Sequence, residues 1–239
     1  MNGFHTRGYG ISAHESVSTT VKKIANSTVG KIIRSQARSS RLRGTVATAA
    51  AVLVLSPGTA LACDAGKHLG AHRKPAHGRA PLAVGDSVML GAADRLAAAG
   101  FEVDARGCRQ MGQGLDLLQQ RRAAGTLPRV VIVALGTNWV ITHADVRRAL
   151  GILGKRRLLV LVTPRETGGG SGSDAALVRS AARHHPQRIR LADWVRVSAG
   201  HSSWFAGDGI HLGQGGIDGM VRMLKPFLRA KPPERPPCS

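Results

Sequence analysis

PLAVGDSVMLGAADRL, residues 81–96, runs from a short apolar segment through Gly-Asp-Ser into an alanine-rich segment. The apolar start is typical of the end of a buried strand, whereas Val88, Ala92 and Leu96 recur at the spacing of one helix face. Gly100 stands where the glycine that ends a helix is expected. The stretch therefore predicts a strand that turns directly into a helix.

Ser87 lies at this predicted turn, where its hydroxyl would face the carboxyl edge of the sheet beside free backbone N–H groups. Open α/β sheets bind their ligands in the crevice at that edge. A serine at this position also serves as an ordinary helix N-cap. Ser87 is therefore a candidate nucleophile only if the chain supplies a base and an oxyanion site elsewhere.

Strand-like apolar runs alternate with helical patterns along the rest of the chain. Strands are predicted at 101–105, 130–135, 158–162 and 189–192, and helices at 111–122, 144–153, 175–184 and 217–228. Ser173 or Asp174 is the expected cap of the helix at 175–184. The alternation predicts an α/β fold, a three-layer, doubly wound parallel sheet with helices on both faces.

The composition limits the classes of protein that this chain can be. Its 239 residues suffice for one sizeable domain, and with 43% hydrophobic but only 3% aromatic residues the core must be aliphatic. The formal net charge of +20 favours contact with polyanions such as anionic cell-wall polymers, although arginine-rich residue usage alone gives the same charge. Because the basic residues are not interleaved with aromatics, no nucleic-acid partner is expected.

Residues 1–62 are predicted to be a leader, with the secretory signal itself at about 41–62. Basic residues precede an apolar run at 45–55, and Ala-Leu-Ala then ends at Ala62, as signal-peptidase sites do. The run is too short to span a membrane. We expect cleavage before Cys63 and a secreted or cell-wall-associated protein, with plain secretion favoured over a lipid-modified cysteine.

Two flanking segments are expected to lie outside the folded domain at 81–228. Residues 63–80 are basic and lack apolar periodicity, which predicts a linker, and residues 229–239 are a proline-rich tail. No metal site is predicted in the linker, because no cysteine or carboxylate nearby completes a ligand set with its histidines, His68, His72 and His77.

Three cysteines remain after the predicted cleavage site, Cys63, Cys108 and Cys238. A bridge between Cys63 and Cys238 would tie the two chain ends together, which often lie close in a domain. Alternatively Cys108 is the paired cysteine, or it is a free buried thiol. The odd number leaves these alternatives open.

Two short segments follow other predicted strands at the same sheet edge as Ser87. ALGTN, residues 134–138, ends the strongest central strand and places Asn138 there. ARGCRQ, residues 105–110, ends the second strand and offers a backbone N–H from Gly107 or Cys108. Backbone N–H groups together with a side-chain amide can form an oxyanion hole.

GDGIHL, residues 207–212, lies in the loop before the last predicted helix and carries Asp208 and His211. An Asp-x-x-His turn can supply both a base for a serine hydroxyl and the carboxylate that orients this base. Together with Ser87, these residues have the composition of a catalytic triad.

Three ordered motifs, Gly85-Asp86-Ser87, Gly136-Thr137-Asn138 and Asp208-Gly209-Ile210-His211, resemble blocks I, III and V of the SGNH (GDSL) hydrolase superfamily. The match spans about residues 81–228. Around these blocks the sequence is similar to the SGNH domains attached to family 3 acyltransferases, which include peptidoglycan O-acetyltransferases. Their multi-pass membrane half has no counterpart here, and no integral membrane span is expected after the leader.

The resemblance implies a flavodoxin-like SGNH fold and a role for each matched residue. Ser87 would be the nucleophile, His211 the general base and then acid, and Asp208 the group that orients His211. The implied oxyanion donors are the N–H of Ser87, the N–H of Gly107 or Cys108, and the side-chain amide of Asn138. Neither a metal nor a cofactor is implied.

Four further side chains are candidates for contact with substrate. Trp139 and Trp204 flank the motif blocks and are predicted to form walls of the site, with ordinary packing as the alternative. Arg109 and Arg165 could contact an anionic or sugar substrate, with solvated surface charge as the alternative.

We therefore predict a secreted serine esterase, a monomer that removes small acyl groups from esters such as O-acetylated carbohydrate through an acyl-serine intermediate. The alternative within chemistry is an acyltransferase that moves acetyl groups to a glycan hydroxyl. A different alternative is a non-catalytic module that binds cell-wall or other polyanions on the same fold.

Overall fold

The computed structural model describes residues 63–75, 78–166 and 172–234. The predicted leader at 1–62 with its cleavage site, and the end of the proline-rich tail at 235–239, lie outside the described residues, as do His77 and Cys238. None of the described helices is both long and apolar enough to cross a membrane.

Within the described residues, six strands form one sheet. The strands are β1 (Gly66–Leu69), β2 (Leu82–Gly85), β3 (Glu102–Arg106), β4 (Val130–Ala134), β5 (Leu158–Val162) and β6 (Ile189–Ala192). The helices are α1 (Ser87–Ala99), α2 (Met111–Ala123), α3 (His143–Leu153), α4 (Ser173–His184), α5 (Trp194–Val197) and α6 (Gln214–Leu224). Two short 3₁₀ helices, Ser202–Trp204 and Lys225–Arg229, flank α6.

The sheet has the strand order β1-β3-β2-β4-β5-β6, and β2 to β6 are parallel. The chain leaves β2 toward β3 on one side and later returns to β4 on the other, so the strand order reverses at β2. Ligand crevices of open α/β sheets lie at the carboxyl edge beside such a reversal. Ser87 follows β2 directly and therefore stands at this crevice.

Two apolar clusters cover the two faces of the sheet. Helices α2, α3 and α4 pack on one face, through side chains such as Leu115, Val146 and Val178. Helices α1, α5 and α6 pack on the other face, through side chains such as Leu96 and Trp194. The predicted α/β, three-layer, doubly wound architecture is confirmed, and the core is mostly aliphatic, with Phe101 and Trp194 as its large aromatic side chains.

The prediction that residues 63–80 are an unstructured linker is wrong for their first part, because Gly66–Leu69 forms strand β1. This strand pairs antiparallel with β3 at the edge of the sheet. Three of its four residues are exposed, so it carries no apolar alternation. Instead polar contacts hold it, including those of Lys67 with Asp94 and of His68 Nδ1 with Asp104 Oδ2 at 3.2 Å.

A disulfide joins Cys63 to Cys108, whose Cα atoms lie 4.9 Å apart. This pairing replaces the Cys63–Cys238 bridge and agrees with the alternative in which Cys108 is paired. Strand β1 brings the two cysteines together, because Gly66 lies opposite Arg106 in the antiparallel register. The bond therefore ties the start of β1 to the turn after β3.

The cap predicted for the helix at 175–184 is also wrong. Helix α4 has Gly172 as its N-cap residue. The Asp174 carboxylate is instead buried and accepts a hydrogen bond from the Ile141 N–H at 2.9 Å. It thus fixes the loop after β4 rather than the helix terminus.

Candidate active site

The turn between β2 and α1 is unusually tight. A Cβ atom on Gly85 would lie 2.3 Å from Met89 Cβ, so only glycine allows the first turn of α1 to approach the strand end this closely. Asp86 is the N-cap residue of α1, and its Oδ1 accepts a hydrogen bond from the Val88 N–H at 3.0 Å. The turn therefore holds Ser87 at the first helical position, with its hydroxyl at the carboxyl edge.

The Asp86 side chain points into the protein and is 1% exposed. Burial raises its pKa from the ordinary 3.8 to about 6, although the hydrogen bond from the Val88 N–H opposes the shift. The Asp86 backbone N–H donates to the Ala134 carbonyl oxygen at 3.3 Å, which links the strand-to-helix turn to the end of β4. In the sequence Asp86 stands out only as part of the Gly-Asp-Ser motif, and no pattern there indicates its burial.

Asp208 is held by its own turn. Its Oδ1 accepts hydrogen bonds from the N–H groups of Ile210 at 2.8 Å and His211 at 3.0 Å. Its Oδ2 lies 2.5 Å from His211 Nδ1. These three hydrogen bonds lower the pKa of Asp208 to about 2, and the bond with the His211 ring has the largest effect. The carboxylate is therefore ionised at neutral pH and can only accept.

Because the Asp208 carboxylate accepts, His211 Nδ1 must carry the proton of their hydrogen bond. The other ring nitrogen, Nε2, lies 3.0 Å from Ser87 Oγ. In neutral imidazole Nε2 is then the acceptor, and the serine hydroxyl donates to it. The structure thus places Ser87, His211 and Asp208 in one hydrogen-bonded series, in which Nε2 is positioned to take the hydroxyl proton.

This series lies at the protein surface. The side chains of His211 and Asp208 are 51% and 47% exposed, and Ser87 is half-buried. An acyl group carried on a large molecule can therefore reach the serine hydroxyl without entering a deep pocket.

Arg165 anchors the loop that carries Asp208 and His211. Its Nε donates a hydrogen bond to the Gly209 carbonyl oxygen at 2.7 Å, and its guanidinium lies 4.1 Å from the centroid of the Phe205 ring. The predicted roles of Arg165, substrate contact or solvated charge, are therefore replaced by a positioning role. Its place just after β5 at the carboxyl edge is the only signal that the sequence offered for this.

Trp204 is half-buried and packs against neighbouring rings, as the packing alternative expects. Its ring stacks on His201 at 4.0 Å and on Trp194 at 5.9 Å between centroids. Added Cβ atoms on Gly215 and Gly219 would lie within 3 Å of the Trp204 ring, so glycines let α6 pack against it. This contact explains why α6 begins at Gln214, earlier than predicted, despite its glycine content.

The two candidate backbone donors after β3 are distinguished by their partners. The Gly107 N–H donates to the Ala65 carbonyl oxygen at 2.8 Å and is thus engaged with the start of β1. The Cys108 N–H has no partner among the described residues, and Cys108 has a φ of +53°, held by its disulfide to Cys63. Cys108 is therefore the better candidate for an oxyanion donor.

Asn138 lies near the same turn. Its Nδ2 is 3.5 Å from the Arg109 carbonyl oxygen, and the side chain is half-buried. Gly85 is the register partner of Ala105 in β3 and of Ala134 in β4. Because both neighbouring strands end level with β2, the loops that follow them flank the loop of Ser87 on its two sides.

Arg109 is engaged within the protein and is not available to a substrate. Its guanidinium donates to Asp104 Oδ1 at 2.7 Å, to the Asp104 carbonyl oxygen at 2.6 Å and to the Gly85 carbonyl oxygen at 3.2 Å. The side chain is only 11% exposed. Arg109 thus fastens the end of β3 to the end of β2, which corrects its predicted substrate-binding role.

Trp139 keeps the exposure that a substrate contact requires. It is 65% exposed, and the neighbouring Val140 is 57% exposed. This apolar pair directly follows Asn138 at the carboxyl edge. Among the described residues, no group of three or more His, Cys, Asp or Glu side chains is arranged to hold a metal ion.

Known proteins provide an independent comparison with this geometry. No family model matches the chain. The O-acetyltransferase OatA of Staphylococcus aureus is 30% identical over 147 residues, which are 60% of this chain and 24% of that protein. The peptidoglycan O-acetyltransferase OatA of Listeria monocytogenes is 28% identical over 145 residues, 60% of this chain and 23% of that protein. The chain thus spans about a quarter of the length of the curated relatives it matches.

Among solved structures, the C-terminal catalytic domain of peptidoglycan O-acetyltransferase A from Streptococcus pneumoniae, solved with a methylsulfonyl adduct, has the same fold. It superposes with a TM-score of 0.53 and 20% identity, over 71% of this chain and all of that domain. The predicted fold and the resemblance to peptidoglycan O-acetyltransferases are thus confirmed.

Proposed function

We propose that this protein is a serine esterase that removes small acyl groups, with O-acetylated carbohydrate as the substrate class. The observation that carries the proposal is the hydrogen-bonded series Asp208–His211–Ser87, with distances of 2.5 and 3.0 Å. Because this arrangement joins a base to a hydroxyl and fixes the base with a carboxylate, it supports nucleophilic catalysis.

In the first half-reaction, Ser87 Oγ attacks the acyl carbonyl carbon while His211 Nε2 takes the hydroxyl proton. The Asp208 carboxylate stabilises the resulting imidazolium. As the tetrahedral intermediate collapses, Nε2 returns this proton to the alcohol oxygen, the ester bond breaks, and the acyl group stays on Ser87.

Negative charge develops on the former carbonyl oxygen during this step. We assign its stabilisation to the backbone N–H groups of Ser87 and Cys108 and to the Asn138 side-chain amide. These groups lie on three neighbouring loops at the same sheet edge, and hydrogen-bond donors fixed in advance lower the energy of such a transition state.

In the second half-reaction, water attacks the acyl carbon and His211 Nε2 accepts one of its protons. Collapse of the second tetrahedral intermediate breaks the bond to Ser87, whose oxygen regains the proton from Nε2. The products are the carboxylic acid and the free enzyme.

Acyl transfer is a second candidate function, and the named relatives favour it specifically, because both are O-acetyltransferases and that of Listeria monocytogenes is a peptidoglycan O-acetyltransferase. The same acyl-serine would then be attacked by a glycan hydroxyl instead of water. The half-exposed side chains of His211 and Asp208 leave room for such an acceptor. The two functions differ only in the group that reaches the acyl carbon.

We further propose that the domain acts outside the cytoplasm after cleavage behind Ala62. The signal-like pattern at 41–62 supports export, and so does the Cys63–Cys108 disulfide, because such bonds persist in oxidising compartments. The Cys63 sulfur cannot carry both this disulfide and a lipid thioether, which favours plain secretion. N-terminal sequencing of the exported protein should begin at Cys63, and a lipid-modified start would contradict this.

Hydrolysis of p-nitrophenyl acetate by the full chain, with and without a sulfonyl fluoride, tests the esterase proposal. Activity that the inhibitor and Ser87→Ala both abolish is expected. Chitooligosaccharide added as an acceptor separates the two candidates, because a transferase yields O-acetylated glycan whereas an esterase yields acetate alone. Activity that survives Ser87→Ala would reject both.

A further inference from the structure

A cavity of about 710 Å³ lies at the amino edge of the sheet, opposite the edge that carries Ser87. Pro81 and Arg129, which line it, precede the first residues of β2 and β4. Residues 228–232, after α6, form another wall. The volume is in the range of ligand sites, yet the proposed chemistry does not use this cavity.

Six basic side chains and no acidic ones line this cavity. They are Arg73, Lys74, Arg79, Arg129, Arg229 and Lys231. All six are exposed, and within the described part of the chain none of them forms an ion pair or a side-chain hydrogen bond. Elsewhere many cations are paired, as Arg109 is with Asp104 and Arg179 with Asp193.

Further positive charge lies beside the cavity. Burial, together with the charges of Arg122 and Arg129, lowers the pKa of Arg157. Arg157 and Arg122 have an evident structural role, because they donate to carbonyl oxygens at the end of α3, including those of Leu153 and Gly151. The six cations around the cavity have no such role, although their mutual repulsion must be overcome when the chain folds.

We propose that this basic cavity binds a linear polyanion whose charges are phosphodiester groups. Six unpaired cations around one concave surface attract and retain such a chain. The cavity floor is apolar, with Pro81, Leu127, Pro128 and Leu228. It fits the uncharged carbon skeleton between successive phosphates, and the exposed rim lets a polymer continue beyond the cavity.

Two other classes of polyanion fit less well. Single-stranded nucleic acids bind through base stacking on aromatic side chains, and the lining contains none. Membrane surfaces bind proteins that insert apolar side chains. Among the described residues, the large exposed apolar side chains are Trp139 and Val140, which follow β4 at the opposite edge.

Binding at the amino edge leaves the carboxyl edge free. The polymer would therefore hold the protein at its place of action while Ser87 reacts with an ester elsewhere. Because no residue of the Ser87 site contributes, this inference does not depend on the proposed activity.

The experiment compares two triple variants of the full chain that remove the same charge. Arg79→Gln/Arg129→Gln/Arg229→Gln changes the cavity, whereas Arg147→Gln/Arg183→Gln/Arg196→Gln removes three exposed arginines that lie elsewhere and have no ion pair in the described residues. The probes are a poly(glycerol phosphate) chain, a single-stranded oligonucleotide of equal charge and vesicles with anionic phospholipid. Kd and its salt dependence are measured for each.

We expect the cavity variant to bind poly(glycerol phosphate) at least about tenfold more weakly, and the control variant to stay within about threefold of wild type. The slope of log K against log salt should fall in magnitude by about 2 in the cavity variant, since each lost phosphate contact contributes about 0.7 for a single strand. Hydrolysis of p-nitrophenyl acetate should not change in either variant. If the cavity variant does not fold, Lys74→Gln/Lys231→Gln takes its place, with Arg147→Gln/Arg183→Gln as its control and an expected slope change of about 1.4.

Equal weakening in both variants would overturn the proposal, because the total charge would then account for binding. Tighter binding of the oligonucleotide or the vesicles than of the polymer would also overturn it, as would no binding at all. A protein that binds the polymer as expected but does not hydrolyse esters would contradict only the proposed activity.

Discussion

His211 Nε2 lies 3.0 Å from Ser87 Oγ, although 124 residues separate the two in the sequence. Their meeting depends on two local structures. Ser87 is placed by the turn between β2 and α1, and His211 by the hydrogen bonds that Asp208 makes within its own loop. Each local structure is encoded in a few residues, and the sheet brings them together.

Removing either the Ser87 hydroxyl or the His211 ring should abolish ester hydrolysis. Ser87→Ala and His211→Ala should each lower kcat by roughly 10⁴-fold or more, and the double variant should lose little further, because the two residues act as one unit. Steady-state kinetics with p-nitrophenyl acetate measures this. Ser203→Ala, at an exposed serine outside the Asp208–His211–Ser87 series, is the control and should match wild type. If the losses of the two single variants multiply in the double variant, Ser87 and His211 do not act as one unit.

Asn138→Ala should lower kcat by roughly a hundred- to a thousandfold and leave KM nearly unchanged. Its amide would bind charge that develops only in the transition state. Asn138→Asp keeps the shape but replaces the donor with a carboxylate, so it should lose at least as much. An effect confined to KM would instead make Asn138 a substrate-binding residue.

Arg165→Met should impair the reaction without touching the reacting atoms. The variant keeps an apolar stem of similar length but loses the hydrogen bond to Gly209, so the loop of His211 is less well fixed. Displacement of a base by about 1 Å can cost roughly a hundredfold in rate, and we expect kcat to fall by about ten- to a hundredfold with KM unchanged. Arg183→Met, at an exposed arginine, is the matched control, and a rise in KM alone would point to substrate contact.

Much of this fold can be predicted, because most of its strands and helices are encoded by patterns within their own segments. Periodicity indicates apolar strands such as Val130–Ala134, and the position of Gly100 indicates the end of helix α1 at Ala99. Strand β1 was missed because its side chains are mostly exposed, and its stability comes from polar contacts and a disulfide to a residue 45 positions away. Such long-range partners have no periodicity that a sequence could show.

The residues of the candidate site likewise divide into those that a local sequence motif indicates and those that depend on distant contacts. Ser87, Asn138, Asp208 and His211 were identified because each lies in a short motif at a strand end or loop. By contrast, Arg165 acts through a contact 44 residues along the chain. Arg109 is held by hydrogen bonds within the protein, and the half-buried Trp204 by ring stacking. A sequence shows which side chains are polar or aromatic, but only the fold shows which way they face.

Breaking the disulfide should affect stability and catalysis together. Cys63→Ser should lower the free energy of unfolding by about 4 kcal/mol, as expected for a closed loop of this length, measured by urea denaturation. Because the turn at Cys108 loses its link to β1, kcat should fall as well. The wild-type protein under reducing conditions should show the same losses of stability and of kcat as Cys63→Ser. An unchanged kcat would indicate that the Cys108 N–H is not an oxyanion donor.

The Asp86 carboxyl group should make stability depend on pH in an unusual direction. Its pKa in the folded protein is about 6, against 3.8 ordinarily, because burial disfavours the charged form. Between these two values the folded state binds more protons than the unfolded chain. Stability attributable to Asp86 is therefore present at low pH and is lost as pH rises through about 6.

Asp86→Asn should consequently be more stable than wild type at pH 7.5 and similar to it near pH 4. Asparagine keeps the side-chain oxygen that caps α1 but carries no charge to bury, and a shift of this size corresponds to at most roughly 3 kcal/mol. Urea denaturation at both pH values measures the difference. Asp208→Asn is the contrasting variant. The pKa of Asp208 in the folded protein is lowered to about 2, so the stability that its carboxylate contributes is present above pH 3.8 and is lost as pH falls toward 2. If Asp86→Asn destabilises the protein equally at both pH values, the carboxylate serves as a cap and its ionisation costs nothing.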